Sequence, residues 1–139
     1  MEVELDRNLP KCYAEHNLIE EVILNLINNS VDAMTNQVEN RMIRISSKLD
    51  GDTIALIVED TGPGVPVDFS ENIFEPFFTT KKHSTGIGLS LCHRIITDHK
   101  GSLKVLQGDL GGAKFRIELP LKSTLSKMSF KKSNFRKTS

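Results

Sequence analysis

Two alternations of apolar and polar residues on either side of one turn signal constrain this chain most. Ile43, Ile45, Ser47 and Leu49 alternate before Asp50-Gly51, and Ile54, Leu56 and Val58 alternate after it. Successive strand residues point to opposite faces, and Asp-Gly favours the left-handed backbone of a tight hairpin turn. The stretch therefore predicts two antiparallel strands with one apolar face, and that face needs a cover. A cover is predicted from Asn17, read as a helix N-cap with Glu20 closing a capping box and Val22, Ile23, Leu26, Ile27, Val31 and Met34 following at helical spacing. A second helix is expected from Gly88 to about His99, with Leu91, Cys92, Ile95, Ile96 and His99 on its buried side and Lys100-Gly101 as its stop. Two further strands, at Leu103–Leu106 and over Ala113, Phe115, Ile117 and Leu119, are joined through Gly108 to Gly112. With an initial strand near the N-terminus, the order is strand, helix, hairpin, loop, helix, hairpin. It predicts an α+β fold, a two-layer α/β sandwich whose mixed, largely antiparallel sheet carries its helices on one face. No G-x-x-x-x-G-K-[ST] and no G-x-G-x-x-G after a first strand occurs, so a doubly wound nucleotide fold is excluded.

A chain of 139 residues has room for one core. Its longest unbroken apolar run, Ile54 to Val58, is far below the roughly 20 residues that span a bilayer, and Met1 to Pro10 lacks the apolar stretch of a secretory signal. A cytoplasmic location is therefore expected, with any membrane anchor in regions outside this chain. Cys12 and Cys92 stand alone, without metal-ligand spacing, and read as reduced, packed thiols. The zero net charge conceals two kinds of material. Residues 122–139 hold six basic residues and no acid, leaving 12 basic and 18 acidic residues, a net of −6, in residues 1–121. The chain divides accordingly into a domain at 1–121 and a basic tail at 122–139, the tail read as solvated rather than as a contact with membrane or nucleic acid.

The first helix carries an unusual polar stripe. Glu21, Asn25, Asn28, Asn29 and Asp32 fall on one arc opposite the apolar side, where Ile19, Val22, Ile23, Leu26, Ile27, Ser30, Ala33 and Met34 gather. Asparagine disfavours helix interiors, so three of them in five residues call for a chemical reason. Thr85-Gly86-Ile87-Gly88-Leu89 opens the second helix. Glycines admit an anion close to backbone N–H groups, and the helix N-terminus favours phosphate. A neutral amide such as Asn29 suits Mg²⁺, which takes oxygen ligands and keeps several waters. Asp60, at the end of a strand and followed by Thr61-Gly62-Pro63-Gly64, can accept a hydrogen bond from a purine's exocyclic amine.

Read in order, Asn25-Leu-Ile-Asn-Asn29-Ser-Val-Asp32-Ala33, Asp60-Thr-Gly-Pro-Gly64, Ile73-Phe-Glu-Pro-Phe-Phe-Thr-Thr-Lys81, Thr85-Gly-Ile-Gly88-Leu89 and Gly111-Gly-Ala-Lys-Phe115 resemble the asparagine, glycine, phenylalanine and second glycine boxes and the closing glycine pair of sensor histidine kinases. The resemblance spans about residues 2–121. It implies the catalytic and ATP-binding domain of that two-component family, of the GHKL superfamily and Bergerat fold, with ATP and Mg²⁺ as cofactors. It makes Asn29 the Mg²⁺ ligand, Asn25 its neighbour at the triphosphate and Asp60 the adenine anchor. Gly62 and Gly64 would shape the adenine loop, Thr85, Gly86, Ile87, Gly88 and Leu89 would hold phosphates, and Lys81 would reach the β- or γ-phosphate. Phe74, Phe77 and Phe78 read equally as anchors of a short lid or as ordinary core aromatics.

Hydrolytic relatives carry Glu where this chain has Asn25, and an amide has no basicity, so phosphoryl transfer is expected in place of efficient hydrolysis. Glu21, one turn further back, reads as a solvated first-turn residue. Lys82-His83-Ser84 stands where similar short-lid members often have Gly, which suggests a less mobile lid. None of His16, His83, His93 or His99 is followed by the Glu of the phosphoacceptor motif. The expected partners are therefore a separate dimerisation domain bearing the acceptor histidine and, after it, a response regulator, with nucleic acid not expected. An anti-sigma-type serine kinase and a non-catalytic nucleotide-sensing module share the superfamily boxes and are the alternative readings.

Overall fold

The computed structural model describes residues 1–6, 9–10, 12, 14–75 and 88–121. The elements are β1 (Glu2–Glu4), α1 (His16–Ala33), β2 (Ile43–Asp50), β3 (Thr53–Asp60), α2 (Gly88–Asp98), β4 (Ser102–Gln107) and β5 (Ala113–Pro120), with short 3-10 turns at Val67–Phe69 and Asn72–Phe74. One five-stranded sheet has the order β1-β2-β3-β5-β4. β1 runs parallel to β2, and every other neighbouring pair is antiparallel. Both helices pack on one face, which makes the α/β sandwich that the element order predicts. No helix among the described residues is long and apolar enough to cross a membrane.

Strand periodicity decides which residues meet the helices. Ile43 and Ile45 of β2, Val58 of β3, Phe115 and Ile117 of β5 and Leu103 and Val105 of β4 form one core with Val22 and Leu26 of α1 and Cys92, Ile95 and Ile96 of α2. Phe115, Ile117, Val58, Val22, Leu26 and Ile96 are fully buried, and each such side chain stabilises the fold by about 1.5–3 kcal/mol. Asp60 lies one step beyond Val58 in the same alternation, opposite Ile43, so a carboxylate faces the apolar layer. The outer face is laced by charge. Glu2, Arg44, Glu59 and Lys114 occupy successive strands in one row, with Arg44 Nε 3.0 Å from Glu2 Oε2 and Lys114 Nζ 3.9 Å from Glu59 Oε1.

Several local expectations need correction. α1 begins at His16 rather than after an Asn17 cap, and its N-cap, Glu15, makes no side-chain capping bond. A tertiary contact fastens the entry: the Glu15 backbone N–H donates to His99 Nε2 at 3.0 Å, while His99 Nδ1 lies 2.7 Å from the Ile95 carbonyl. Leu91, expected on the buried side of the second helix, is exposed. In the first hairpin Asp50 pairs with Thr53, so the two loop residues are Gly51 and Asp52, with Gly51 at φ 60°. At the end of α2 the expected stop at Lys100-Gly101 holds, with Lys100 as the left-handed residue. Lys100 N–H bonds the Thr97 carbonyl and Gly101 N–H the Ile96 carbonyl, a Schellman closure. Gly101 serves packing, since a Cβ there would stand 2.2 Å from the Glu118 carbonyl oxygen. Cys12 and Cys92 are free thiols as expected, and Cys12 bridges to Leu121 just beyond β5.

Candidate functional site

Asp60 is almost fully buried at the end of β3. Its Oδ1 accepts from Gly62 N–H at 2.9 Å and from Ala113 N–H at 3.1 Å, which pins the side chain between its own loop and the start of β5. Oδ2 has no partner among the described residues. Leaving a buried polar atom unpaired costs free energy, so an acceptor held in position by two backbone donors with its other oxygen open is suited to a ligand's N–H.

The surroundings of Asp60 are built from backbone at close range. A Cβ on Gly112 would stand 2.2 Å from Asp60 Oδ1, 2.4 Å from the Asp60 carbonyl oxygen and 2.7 Å from Gly62 N, so only glycine fits there. A Cβ on Gly62 would stand 3.1 Å from Asp60 Oδ1, 3.3 Å from Met34 Cγ and 3.6 Å from Ala33 Cβ, which sets the C-terminal turn of α1 against this loop. Gly64 has φ 77° and faces Gly112 across the loop, as a turn glycine of this kind requires. Thr61 anchors the loop from outside: its N–H donates to the Met42 carbonyl, and its Oγ1 accepts from Met42 N–H at 2.9 Å.

The polar stripe of α1 supplies the other wall. Asn25 and Asn29 are half-buried while Glu21, Asn28 and Asp32 are exposed, so the helix turns two of its amides inward and leaves the rest to solvent. The Asn25 amide lies near enough to the Cys92 sulfur of α2 to favour its thiolate slightly. Its Oδ1 also faces the first residue of α2, lying 3.8 Å from where a Cβ on Gly88 would be. Cys92, fully buried between the helices, donates to the Val22 carbonyl at 3.8 Å, and burial, reinforced by the Glu21 charge, pushes its thiol up to about 11. Leu89 is half-buried against the core, and Phe74 stacks on His93 of α2 with ring centroids 5.4 Å apart. Among the described residues, Asp60, Gly62 and Gly64 gather against the C-terminal turn of α1, and Asn25 stands against Gly88 at the start of α2. Lys81, Thr85, Gly86 and Ile87, with Phe77, Phe78 and His83, lie outside the described residues.

Residues 14–123 match the family described as histidine kinase-, DNA gyrase B-, and HSP90-like ATPase. The chain belongs to this ATPase family. Within it, the chain is 38% identical over 119 residues to the signal transduction histidine-protein kinase AtoS of Escherichia coli, covering 85% of this chain and 19% of AtoS. The chain therefore spans about a fifth of the length of that relative. In three dimensions it is similar to the catalytic domain of histidine kinase ThkA, with a TM-score of 0.73 at 35% identity, covering 85% of this chain and 77% of that domain. It is also similar to ThkA in a complex with response regulator protein TrrA, with a TM-score of 0.70 at 33% identity, covering 85% of this chain and 33% of that one. The matched range of this ATPase domain contains every described residue of the candidate site. Sequence reasoning named Asp60 and Asn29 but gave no role to Gly112 or Ala113, which complete the Asp60 seat. Their signal was the Gly111-Gly112 pair at the start of a strand, read only as part of the resemblance.

Proposed function

We propose that this ATPase domain binds Mg·ATP between α1, α2 and the loop after β3, and presents the γ-phosphoryl group to a histidine on a separate dimerisation domain. A histidine ring nitrogen attacks the γ-phosphorus, the bond to the β-phosphate oxygen breaks, and ADP leaves. A response-regulator aspartate then takes the phosphoryl group from the histidine. The observation that carries this reading is the buried Asp60, with Oδ1 fixed by Gly62 and Ala113 and Oδ2 open, in a chain of an ATPase family. Oδ2 accepts from the 6-amino group of adenine, whereas guanine presents a carbonyl oxygen there and sets two acceptors against each other. Asn29 offers an amide oxygen to Mg²⁺, which neutralises phosphate charge when bound. Asn25 lies beside the triphosphate and, lacking basicity, does not activate water, which keeps hydrolysis slow. Gly88 and Leu89 open α2 toward the phosphates, and Lys81 with Thr85, Gly86 and Ile87 completes their binding.

Radiolabel transfer from [γ-³²P]ATP to an added histidine-bearing dimerisation domain tests the proposal. Acid-labile, base-stable label on that domain is expected. Acid-stable label on a serine substrate would indicate an anti-sigma-type kinase, and tight ATP binding without transfer to any acceptor would indicate a sensing module.

A further inference from the structure

Glu59 departs from its charged neighbours on the outer face of the sheet. Arg44, Lys114 and Arg116 keep part of their side chains in water, whereas Glu59 is 5% exposed and its Oε2 has no partner among the described residues. A carboxylate withdrawn from water is costly unless a cation stands against it. Two cationic residues flank it in register, Arg44 on β2 and Lys114 on β5. Arg44 bonds Glu2, with Nε 3.0 Å from Oε2, and Lys114 Nζ lies 3.9 Å from Glu59 Oε1. At the open surface an ion pair of that length counts for little, but both of these side chains are largely buried, so water and salt screen them weakly.

The pair stands directly behind the Asp60 seat. Glu59 precedes Asp60, Lys114 follows Ala113, and side chains alternate along both strands, so Asp60 and Ala113 meet toward the helices while Glu59 and Lys114 meet on the reverse of the sheet. Lys114 reaches a third element, with Nζ 3.8 Å from Asp109 Oδ2. Asp109 lies in the turn between β4 and β5, which is closed by Gly108 N–H on the Gly112 carbonyl at 2.8 Å and by Gly111 N–H on the Gly108 carbonyl at 3.1 Å. One ammonium thus lies against both the strand that ends in Asp60 and the turn that carries Gly112. The seat has little slack between them, since Gly112 admits no Cβ beside Asp60 Oδ1 and Ala113 N–H is 3.1 Å from that oxygen.

We propose that Lys114 is a positioning residue for base recognition, which from the outer face of the sheet holds the end of β3 against the turn between β4 and β5 and so fixes Gly112 and Ala113 around Asp60. The inference rests on the adenine reading of Asp60 and adds to it a residue that never meets the nucleotide. Without the ammonium, Glu59 keeps a buried charge and loses its cation. The end of β3 then parts from the turn to let water reach Glu59, the donors on Asp60 Oδ1 lengthen, and Oδ2 is no longer held where the base needs it.

The test compares ATP and GTP affinity, by calorimetry, in the unmutated chain, Lys114→Met, Lys114→Arg, the double variant Glu59→Gln with Lys114→Met, and Lys104→Met. Lys104 is exposed on β4, so its variant removes an equal charge from a strand that does not carry the seat. Lys114→Met should weaken ATP by about 3- to 30-fold, the range over which residues away from a ligand alter its site, and leave GTP nearly unchanged, so that the preference for adenine shrinks. Lys114→Arg, which restores the cation, and the double variant, which removes the buried charge, should each recover most of the loss. Lys104→Met should keep the ratio of ATP to GTP affinity. A pair that only stabilised the fold would lower the thermal midpoint in Lys114→Met without changing that ratio, and this result would overturn the inference. So would equal losses in Lys114→Met and Lys104→Met, or no recovery in the double variant. Should Lys114→Met not fold, the ratio in Lys114→Gln decides in its place. An unmutated chain that takes GTP as well as ATP would refute the adenine reading itself, whereas a preference for ATP that Lys114→Met leaves intact refutes only the role of Lys114.

Discussion

The two ends of the candidate site are built from different material. Around Asp60 the chain uses backbone: two N–H groups on one carboxylate oxygen, with Gly62 and Gly112 packed too closely for any side chain. Around Asn25 and Asn29 it uses side chains carried on one helix and half-buried. A backbone seat has little freedom to lose on binding and tolerates no added atom. A side-chain wall adapts at the cost of rotamer entropy and tolerates substitution with graded effects. The end around Asp60 is therefore the more selective in shape, and the helix end the more accommodating.

The sharpest way to break this contrast is a methyl group at a residue with no side chain of its own. Gly112→Ala inserts a Cβ 2.2 Å from Asp60 Oδ1, and its close neighbours are mostly backbone, so the seat must shift. We expect ATP affinity, measured by calorimetry, to fall more than about 100-fold, with a loss of about 1–3 kcal/mol in stability from overpacking. A protein that binds ATP normally with this change would refute the rigid seat. Asp60→Asn comes next. It can present N–H₂ toward the adenine amine, and the expected loss for ATP is about 10- to 100-fold, as for a hydrogen bond to a charged group. Guanine nucleotides competing as well as adenine ones in the unmutated protein would remove Asp60 from base recognition.

Asn29→Ala addresses the other end. Its effect should be smaller, about 10-fold, and confined to Mg·ATP, with adenosine binding retained. Equal losses for both ligands in parallel titrations would remove the metal assignment. The smallest effect concerns Cys92. Its thiol is raised from the ordinary 9.0 to about 11 by burial, so the folded state favours the protonated form. The stability tied to it is present in full below about pH 9 and is lost as pH rises toward about 11. Thermal unfolding followed across that range should show a decline that is shallower in Cys92→Ala. An identical pH profile in the two proteins would mean that the thiol does not titrate with folding.

Much of this was legible from local pattern. The hairpin at Asp50 to Thr53, the 3.6-residue period from Val22 to Met34 and the punctuation by Gly62, Pro63 and Gly64 each act over a few residues, where backbone sterics and side-chain period decide the outcome. Asn29 was legible because an amide inside a helix violates its local rule, and Asp60 because a carboxylate ends a strand and opens a Gly-Pro-Gly loop. The start of α1 was misread for the same local reason. Asn17 has the composition of a cap, yet the helix entry is fastened by His99, 84 residues away from Glu15.

Taken alone, the sequence determined the element order, the sandwich class, the helix-facing residues of the strands and the two polar positions on which the functional reading rests. Tertiary structure decided how those positions are finished. Ala113 reaches Asp60 across 53 residues only because β5 pairs with β3 in the register that sets Phe115 beside Val58. Gly112 is a mere turn glycine until that pairing brings Asp60 to it, and Asp60 is one more strand-end carboxylate until the packed loop pins Oδ1 and leaves Oδ2 without a partner among the described residues. Periodicity and turn chemistry are properties of neighbours along the chain. Satisfaction of a buried polar atom is a property of neighbours in space, and only the packed sheet and helices specify those.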